Sequence, residues 1–201
     1  MSEPFLVRRG HNVCMTEAAE SEKESWLVLR AQSGDGAAVE ELLKSVEQPL
    51  YRYILHLVGE RARAQDVLQE VFMRIYRKLG WLREPELFRA WAFRIATRET
   101  FRQMRKERRW TEQLRDDEAL RAIAVPAPTR AEFEPELIER LPQMVAKVSP
   151  ASRAVIVLYY LQEMSLEEVA AVLEIPQGTV KSRLSYGLES LRRQLKRQAQ
   201  N

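Results

Sequence analysis

Cysteine and histidine are nearly missing from this chain, which holds one cysteine, Cys14, and two histidines, His11 and His56. An internal disulfide is excluded, and the composition fits a reducing compartment. A closed metal site of four Cys or His ligands cannot be assembled from so few. Glycine is scarce as well, with seven residues, whereas Leu, Ile, Val and Ala are plentiful. That balance favours helices over a turn-rich β fold. No apolar run approaches the roughly 20 residues needed to cross a bilayer, and the first residues lack the apolar core of a signal peptide. The expectation is a cytoplasmic protein without membrane insertion.

What the chain does have is charge. Charged residues make up 30% of its 201 residues, yet the net charge is only +3. The distribution of charge therefore says more about partners than its sum. The length allows one large domain or two small ones.

Residues 1–20 show no helical period and read as a disordered lead-in. From Ser21 the pattern is helical: Ser21 and Glu24 form a capping box ahead of Trp26, Leu27 and Leu29. Gly34-Asp35-Gly36 breaks that helix. A second helix is expected from about Ala37 to Val58, with apolar residues every three or four positions. A third is expected from about Ala64 to Leu79, then a loop from Gly80 to Pro85, and a fourth helix from about Glu86 to Arg109. These elements predict one helical domain over 21–110. Between Thr111 and Pro142 there are four prolines and eight acidic residues against four basic ones. Pro126 and Pro128 break any continuous helix, so 111–136 reads as a flexible acidic linker. A second domain is expected over 137–198. Within it, Ser149-Pro150 supplies an N-cap followed by proline at the first helical position.

The strongest functional signal is near the C-terminus. Ser165-Leu166-Glu167-Glu168 is a capping box that opens a short helix, Leu166 to Leu173. Glu174-Ile175-Pro176-Gln177-Gly178 is a tight connection to a longer helix beginning near Thr179. This is the pattern of a helix-turn-helix, in which the second helix enters the major groove by its N-terminal residues. Those residues are Thr179, Lys181, Ser182 and Arg183, with Tyr186 one turn further, and they carry donors suited to phosphates or base edges. A plain helical hairpin with a basic rim would share much of this pattern.

The second signal lies on the fourth helix. At 100° per residue Arg94, Arg98, Arg102, Arg105 and Arg109 fall in one narrow sector. Trp91 shares that sector and Phe101 lies at its margin. Cations along a backbone and rings against unpaired bases suit single-stranded DNA; a solvated basic face with Trp91 in the core is the alternative. The third signal is Asp66, Gln69, Glu70 and Arg74 on the third helix. Asp66 and Glu70 are one turn apart, but no His or Cys supports a metal there. A solvated face or a protein contact fits them better than catalysis. No catalytic residue, metal or cofactor is nominated.

Taken together these segments resemble the extracytoplasmic-function sigma factors of the sigma-70 family. Ala64-Gln65-Asp66-Val67-Leu68-Gln69-Glu70-Val71-Phe72-Met73-Arg74-Ile75-Tyr76-Arg77 looks like the core-polymerase-binding helix of that family. Phe88-Arg89-Ala90-Trp91-Ala92-Phe93-Arg94-Ile95-Ala96 looks like its promoter-melting segment. Leu166 to Leu173 with Gly178-Thr179-Val180-Lys181-Ser182-Arg183-Leu184 looks like the helix-turn-helix that reads the −35 element. The likeness covers about Trp26 to Arg109 and Leu141 to Leu195, in the family's order.

The resemblance implies an all-α protein of two small helical domains joined by an acidic, proline-containing linker. It also implies a mechanism. Asp66, Gln69, Glu70 and neighbours such as Arg74 would dock on core RNA polymerase. The loop Gly80 to Leu87 would receive a base flipped from the −10 element, while Trp91, Arg94, Arg98, Arg102 and Arg105 hold the melting promoter DNA. The linker would run through the polymerase cleft, and an anti-sigma factor would mask the DNA-binding faces. The chain departs from the family at Arg98, where Asn is usual. Two further departures are the loop Trp81-Leu82-Arg83-Glu84-Pro85-Glu86 and the turn Gln162-Glu163-Met164, where Gly is more common.

Other readings explain less. A stand-alone helix-turn-helix regulator would be expected to dimerise on a palindrome, and no dimer helix is evident. A nucleic-acid enzyme using Asp66 and Glu70 lacks the ligand cluster of a metal nuclease. An adaptor leaves the aligned arginines without a role.

Overall fold

A computed structural model describes residues 13–106 and 144–199. The acidic linker 111–136, Arg109, His11 and residues 1–12 lie outside the described residues. Helix α1 spans Val13–Gln32. It starts before Ser21, which is therefore not an N-cap; its carbonyl accepts the Ser25 hydroxyl at 2.8 Å inside the helix. The stretch Thr16 to Lys23 holds Ala, Glu and Lys without Gly or Pro, so a helix nucleated downstream extends backwards through it.

Helix α2 spans Gly36–Val58, and its N-cap is Asp35, whose carboxylate accepts the Ala37 and Ala38 amides at 3.0 and 3.2 Å. It ends at Gly59, left-handed at φ 76°, where glycine carries no side-chain penalty. Helix α3 (Arg61–Lys78) leads through 3-10 turns at Leu79–Trp81 and Pro85–Leu87 into α4 (Phe88–Lys106). The Gln32 amide fastens this connection by donating to the Leu79 and Leu82 carbonyls at 2.9 and 2.8 Å. Leu42, Leu50, Tyr53 and Ile54 of α2 pack with Val71 and Ile75 of α3 and Phe88 and Phe93 of α4, all buried. Tyr53 meets Phe93 edge-on at 5.5 Å, and its hydroxyl pairs with Thr97 at 2.7 Å. Buried polar pairs of this kind set the register of one helix against another.

The C-terminal unit begins, among the described residues, with Met144 and Val145. Ser149 caps helix α5 (Pro150–Ile156), which widens into a π turn at Val157–Leu161. Glu163 turns the chain at φ 55°. A left-handed residue costs roughly 1 kcal/mol when it is not glycine, which is why glycine suits this turn. Ser165 and Glu168 form the expected capping box on helix α6 (Leu166–Leu173), and α7 spans Gln177–Ala199. Helices α5 and α7 approach closely at Gly187, where a Cβ would stand 2.5 Å from the Ile156 side chain. The fold is all-α among the described residues. The two units also touch: α6 lies along α4 and α5 meets the end of α2. One contiguous buried cluster runs through both.

Candidate nucleic-acid interface

The helix-turn-helix is built from local chemistry. The Glu168 amide donates to the Ser165 hydroxyl at 3.1 Å, and the Ser165 amide returns a bond to the Glu168 carboxylate at 2.7 Å. These bonds satisfy two of the donors that a helix start leaves open. Glu174 ends α6 in the left-handed conformation, φ 55° and ψ 43°, and Pro176 opens α7 by accepting the Thr179 and Val180 amides at 2.8 and 3.1 Å. Val180 and Leu184 are buried beside Val169 and Val172. That packing turns the opposite face of the first turn outward, and Gln177, Gly178 and Lys181 are exposed while Thr179, Ser182 and Arg183 are half-buried. Ser182 directs its hydroxyl back to the Gly178 and Thr179 carbonyls at 2.9 and 3.2 Å. No acidic residue sits in the first turn of α7, so the positive end of the helix faces solvent without a countercharge of its own. Such an end is a ready site for phosphate oxygens. Tyr186 lies one turn further along, half-buried.

The arginine stripe of α4 divides into residues with different neighbours. Arg98 and Arg105 are exposed, and Trp91 and Arg94 are half-buried, with Trp91 tilted against Phe88 at 6.2 Å between ring centroids. Arg102 is anchored to Glu99 at 2.8 Å. Glu99 is itself buried and also takes Arg74 of α3 at 2.6 Å. A carboxylate between two guanidiniums neutralises charge inside the bundle and aims both side chains. Arg74 thus faces α4, whereas Asp66, Gln69 and Glu70 are exposed on the outer face of α3. Trp81 is 78% exposed in the loop between α3 and α4, and the same loop exposes Leu87.

Three site residues escaped the sequence reading. Glu99 is the sole acid of α4, and that isolation in a basic helix was a usable signal. Glu174 crosses to Arg98, its carboxylate accepting from the guanidinium at 2.6 and 3.1 Å. That hydrogen bond holds the Glu174 carboxyl below its ordinary range; desolvation opposes it, and the Arg98 and Arg94 charges add lesser lowering effects. Arg153 is buried, and one of its nitrogens donates to the Leu57 carbonyl at 2.8 Å and to His56 at 3.4 Å. The other donates to Ala146 and Val148 at 2.5 and 2.8 Å. Burial pulls the guanidinium down to about 10, which still leaves it charged at neutral pH. Nothing in the local pattern around Arg153 marks it.

Two family models match the chain, sigma-70 region 2 over residues 42–110 and sigma-70 region 4 over residues 145–193. The SigW sigma factor of Bacillus subtilis, described as an extracytoplasmic-function RNA polymerase sigma factor, is 32% identical over 178 residues, covering 84% of this chain and 95% of SigW. The chain belongs to the extracytoplasmic-function sigma factors of the sigma-70 family. SigL of Mycobacterium tuberculosis is another relative of this sigma factor, 32% identical over 80% of the chain and 92% of SigL. Among solved structures, the Bartonella quintana sigma factor RpoE, crystallised with the anti-sigma factor NepR, matches with a TM-score of 0.59. It is 25% identical and covers 78% of this chain and 96% of its own. CnrH, solved with the cytosolic domain of CnrY, shares the fold with a TM-score of 0.64 at 24% identity, covering 87% of this sigma factor and 97% of CnrH. The matched regions place α2–α4 in region 2 and α5–α7 in region 4, the order expected from the motifs. No described helix of this sigma factor is long and apolar enough to cross a membrane, and the described residues hold no cluster of His, Cys, Asp or Glu suited to a metal.

Proposed function

We propose that this sigma factor divides promoter recognition among three surfaces. Thr179, Lys181, Ser182, Arg183 and Tyr186 at the start of α7 read the −35 element. Trp91, Arg94, Arg98, Arg102 and Arg105 of α4 follow the melted −10 strand, with the exposed Trp81 loop beside them. Asp66, Gln69 and Glu70 dock on core RNA polymerase, and Arg74 supports α4 through Glu99. The chain acts where core polymerase is, in the cytoplasm. It has no catalytic chemistry or cofactor of its own, and an anti-sigma factor controls it, a reading supported by the complex of RpoE with the anti-sigma factor NepR.

The observation that carries this reading is the start of α7. It offers a solvent-facing, acid-free first turn with exposed Gly178 and Lys181, held by a buried helix-turn-helix packing. The test is to mix the purified chain with bacterial core RNA polymerase, then run gel filtration and transcription from a promoter library. Co-elution with sequence-restricted transcripts is expected. DNA binding without core binding would instead point to a regulator that acts alone.

A further inference from the structure

We infer that Gln32, the last residue of α1, is a positioning residue for promoter melting: its amide holds the Trp81 loop in the shape that meets the −10 strand. The inference rests on the assignment of that loop to the −10 strand.

The loop leaves α3 as a single 3-10 turn, Leu79–Trp81, closed by the Leu82 amide donating to the Leu79 carbonyl at 3.1 Å. Leu79 is buried, whereas Gly80, Trp81, Arg83 and Glu84 are exposed. A short 3-10 turn whose side chains point into solvent has little packing to resist opening. The Gln32 amide supplies what packing does not. Its nitrogen donates to the Leu79 carbonyl at 2.9 Å and to the Leu82 carbonyl at 2.8 Å. A primary amide carries two N–H donors, and both are spent on this turn. The clamped carbonyls bracket Gly80 and Trp81, so the clamp sets the backbone that carries the Trp81 ring, itself 78% exposed.

Gln32 is in turn held from its own side. The Arg30 guanidinium donates to the Asp35 carboxylate through Nε at 3.0 Å, and the same carboxylate caps α2. Ser33 closes the end of α1 on the Leu29 carbonyl, by its amide at 3.1 Å and its hydroxyl at 2.9 Å. Helix α1 also lies against the second turn of the loop, Pro85–Leu87. The donor therefore sits on a fixed element, which is what a supporting residue needs.

An exposed indole offers a face on which an unpaired base stacks. Fixing its backbone before DNA arrives lowers the ordering cost of that contact. Gln32 belongs to none of the three recognition surfaces, and its effect on DNA passes through the loop alone. Glutamate at this position keeps the shape but sets a carboxylate, which has no donor, against two carbonyl oxygens. Leucine removes the donors without adding charge, and lysine returns donors on a longer stem.

The test uses the full chain assembled with bacterial core RNA polymerase and a promoter library randomised across both elements. Opening is followed by the permanganate reactivity of unpaired thymines. Gln32→Glu and Gln32→Leu are expected to flatten the −10 preference and to slow opening by about three- to tenfold. That is the change two partly exposed hydrogen bonds support. The −35 preference and co-elution with core polymerase should stay as in the native chain, and Gln32→Lys should recover most of the opening rate. Gln32→Glu should add nothing to Trp81→Ala, since both act through one loop. Native −10 selection and opening in both Gln32→Glu and Gln32→Leu, beside a defective Trp81→Ala, would overturn the inference. Additive defects, or an equal loss of −35 preference or core binding, would do the same, because they describe a residue that braces the bundle at large. If Trp81→Ala itself keeps native −10 selection, the assignment of the loop fails and the inference falls with it.

Discussion

The Arg153 guanidinium donates to the Leu57 carbonyl at 2.8 Å, joining residues 96 positions apart in the chain. One side chain thereby completes the end of α2 and fixes the C-terminal unit against it. Arg153→Met keeps much of the apolar stem and removes every one of these bonds. The carbonyls of Leu57, Ala146 and Val148 then lose a charged donor, and a loss of about 2–4 kcal/mol is expected. Urea unfolding followed by circular dichroism measures it; an unchanged midpoint would remove Arg153 from the structural account.

Glu99 provides a second check on buried charge. Glu99→Ala leaves Arg74 and Arg102 facing each other without a counterion. Both arginines keep partial contact with water, at 36% and 42% side-chain exposure, so the cost is smaller than for a fully buried pair, about 1–3 kcal/mol. Arg74→Met in the same chain should recover part of the loss, because it removes one stranded cation. A double-mutant cycle with no coupling would show that the network does not act as a unit.

Gly187 tests packing alone. A Cβ there meets the Ile156 Cδ1 position at 2.5 Å, so Gly187→Ala forces α5 and α7 apart or Ile156 off its rotamer. A destabilisation of about 1–3 kcal/mol is expected. Ile156→Val removes the opposing methyl and should return most of it in the Gly187→Ala background, as read from thermal midpoints.

The His56 imidazole is held below its ordinary value by burial, with the Arg153 and Arg52 charges adding to the effect. A group depressed on folding contributes stability that is complete above its unfolded value, 6.5, and that is lost as pH falls through the folded value. Stability should therefore be flat above about pH 7 and fall below it, before the carboxylates titrate. His56→Gln should flatten that fall. Urea midpoints at about pH 7.5 and about pH 5.5 decide the matter; equal slopes for both chains would exclude His56 as the cause.

Separate surfaces predict separable defects. Lys181→Ala should weaken promoter recognition by roughly 1–3 kcal/mol if the ammonium reaches a base edge, with core polymerase binding intact. Glu70→Lys should abolish core binding and spare DNA affinity. Gel filtration with core polymerase and promoter-DNA anisotropy distinguish the two, and a shared defect in either variant would mean that the surfaces are misplaced.

Much of this sigma factor was legible locally. Asp35 between two glycines, Ser149 before Pro150 and the Ser165–Glu168 box each act within a single helical turn, so their effect is contained in a few consecutive residues. The apolar period of α2 and α3 likewise depends on helix geometry alone. The start of α1 was misread because Ser21 satisfies a cap pattern that helix propensity on both sides overrides. The helix-turn-helix and the order of the motifs were determined in the same local way, which is why the family could be named from the residues.

Tertiary structure decided which charges meet. The arginine stripe was visible as a sector of α4, but Arg98 and Glu174 lie 76 positions apart, and no periodicity links them. Arg74 of α3 turns to Glu99 of α4, because a buried carboxylate draws a cation more strongly than solvent does. Arg153 sits in an apolar stretch with nothing nearby to mark it, since its partners are backbone carbonyls that every residue carries. The helices of α2 to α7 and their capping chemistry follow from short runs of consecutive residues. Which face is covered, and which cation is already engaged, followed only from how α6 packs on α4 and α5 on α2, because desolvation and ion pairing depend on distances that the chain order does not contain.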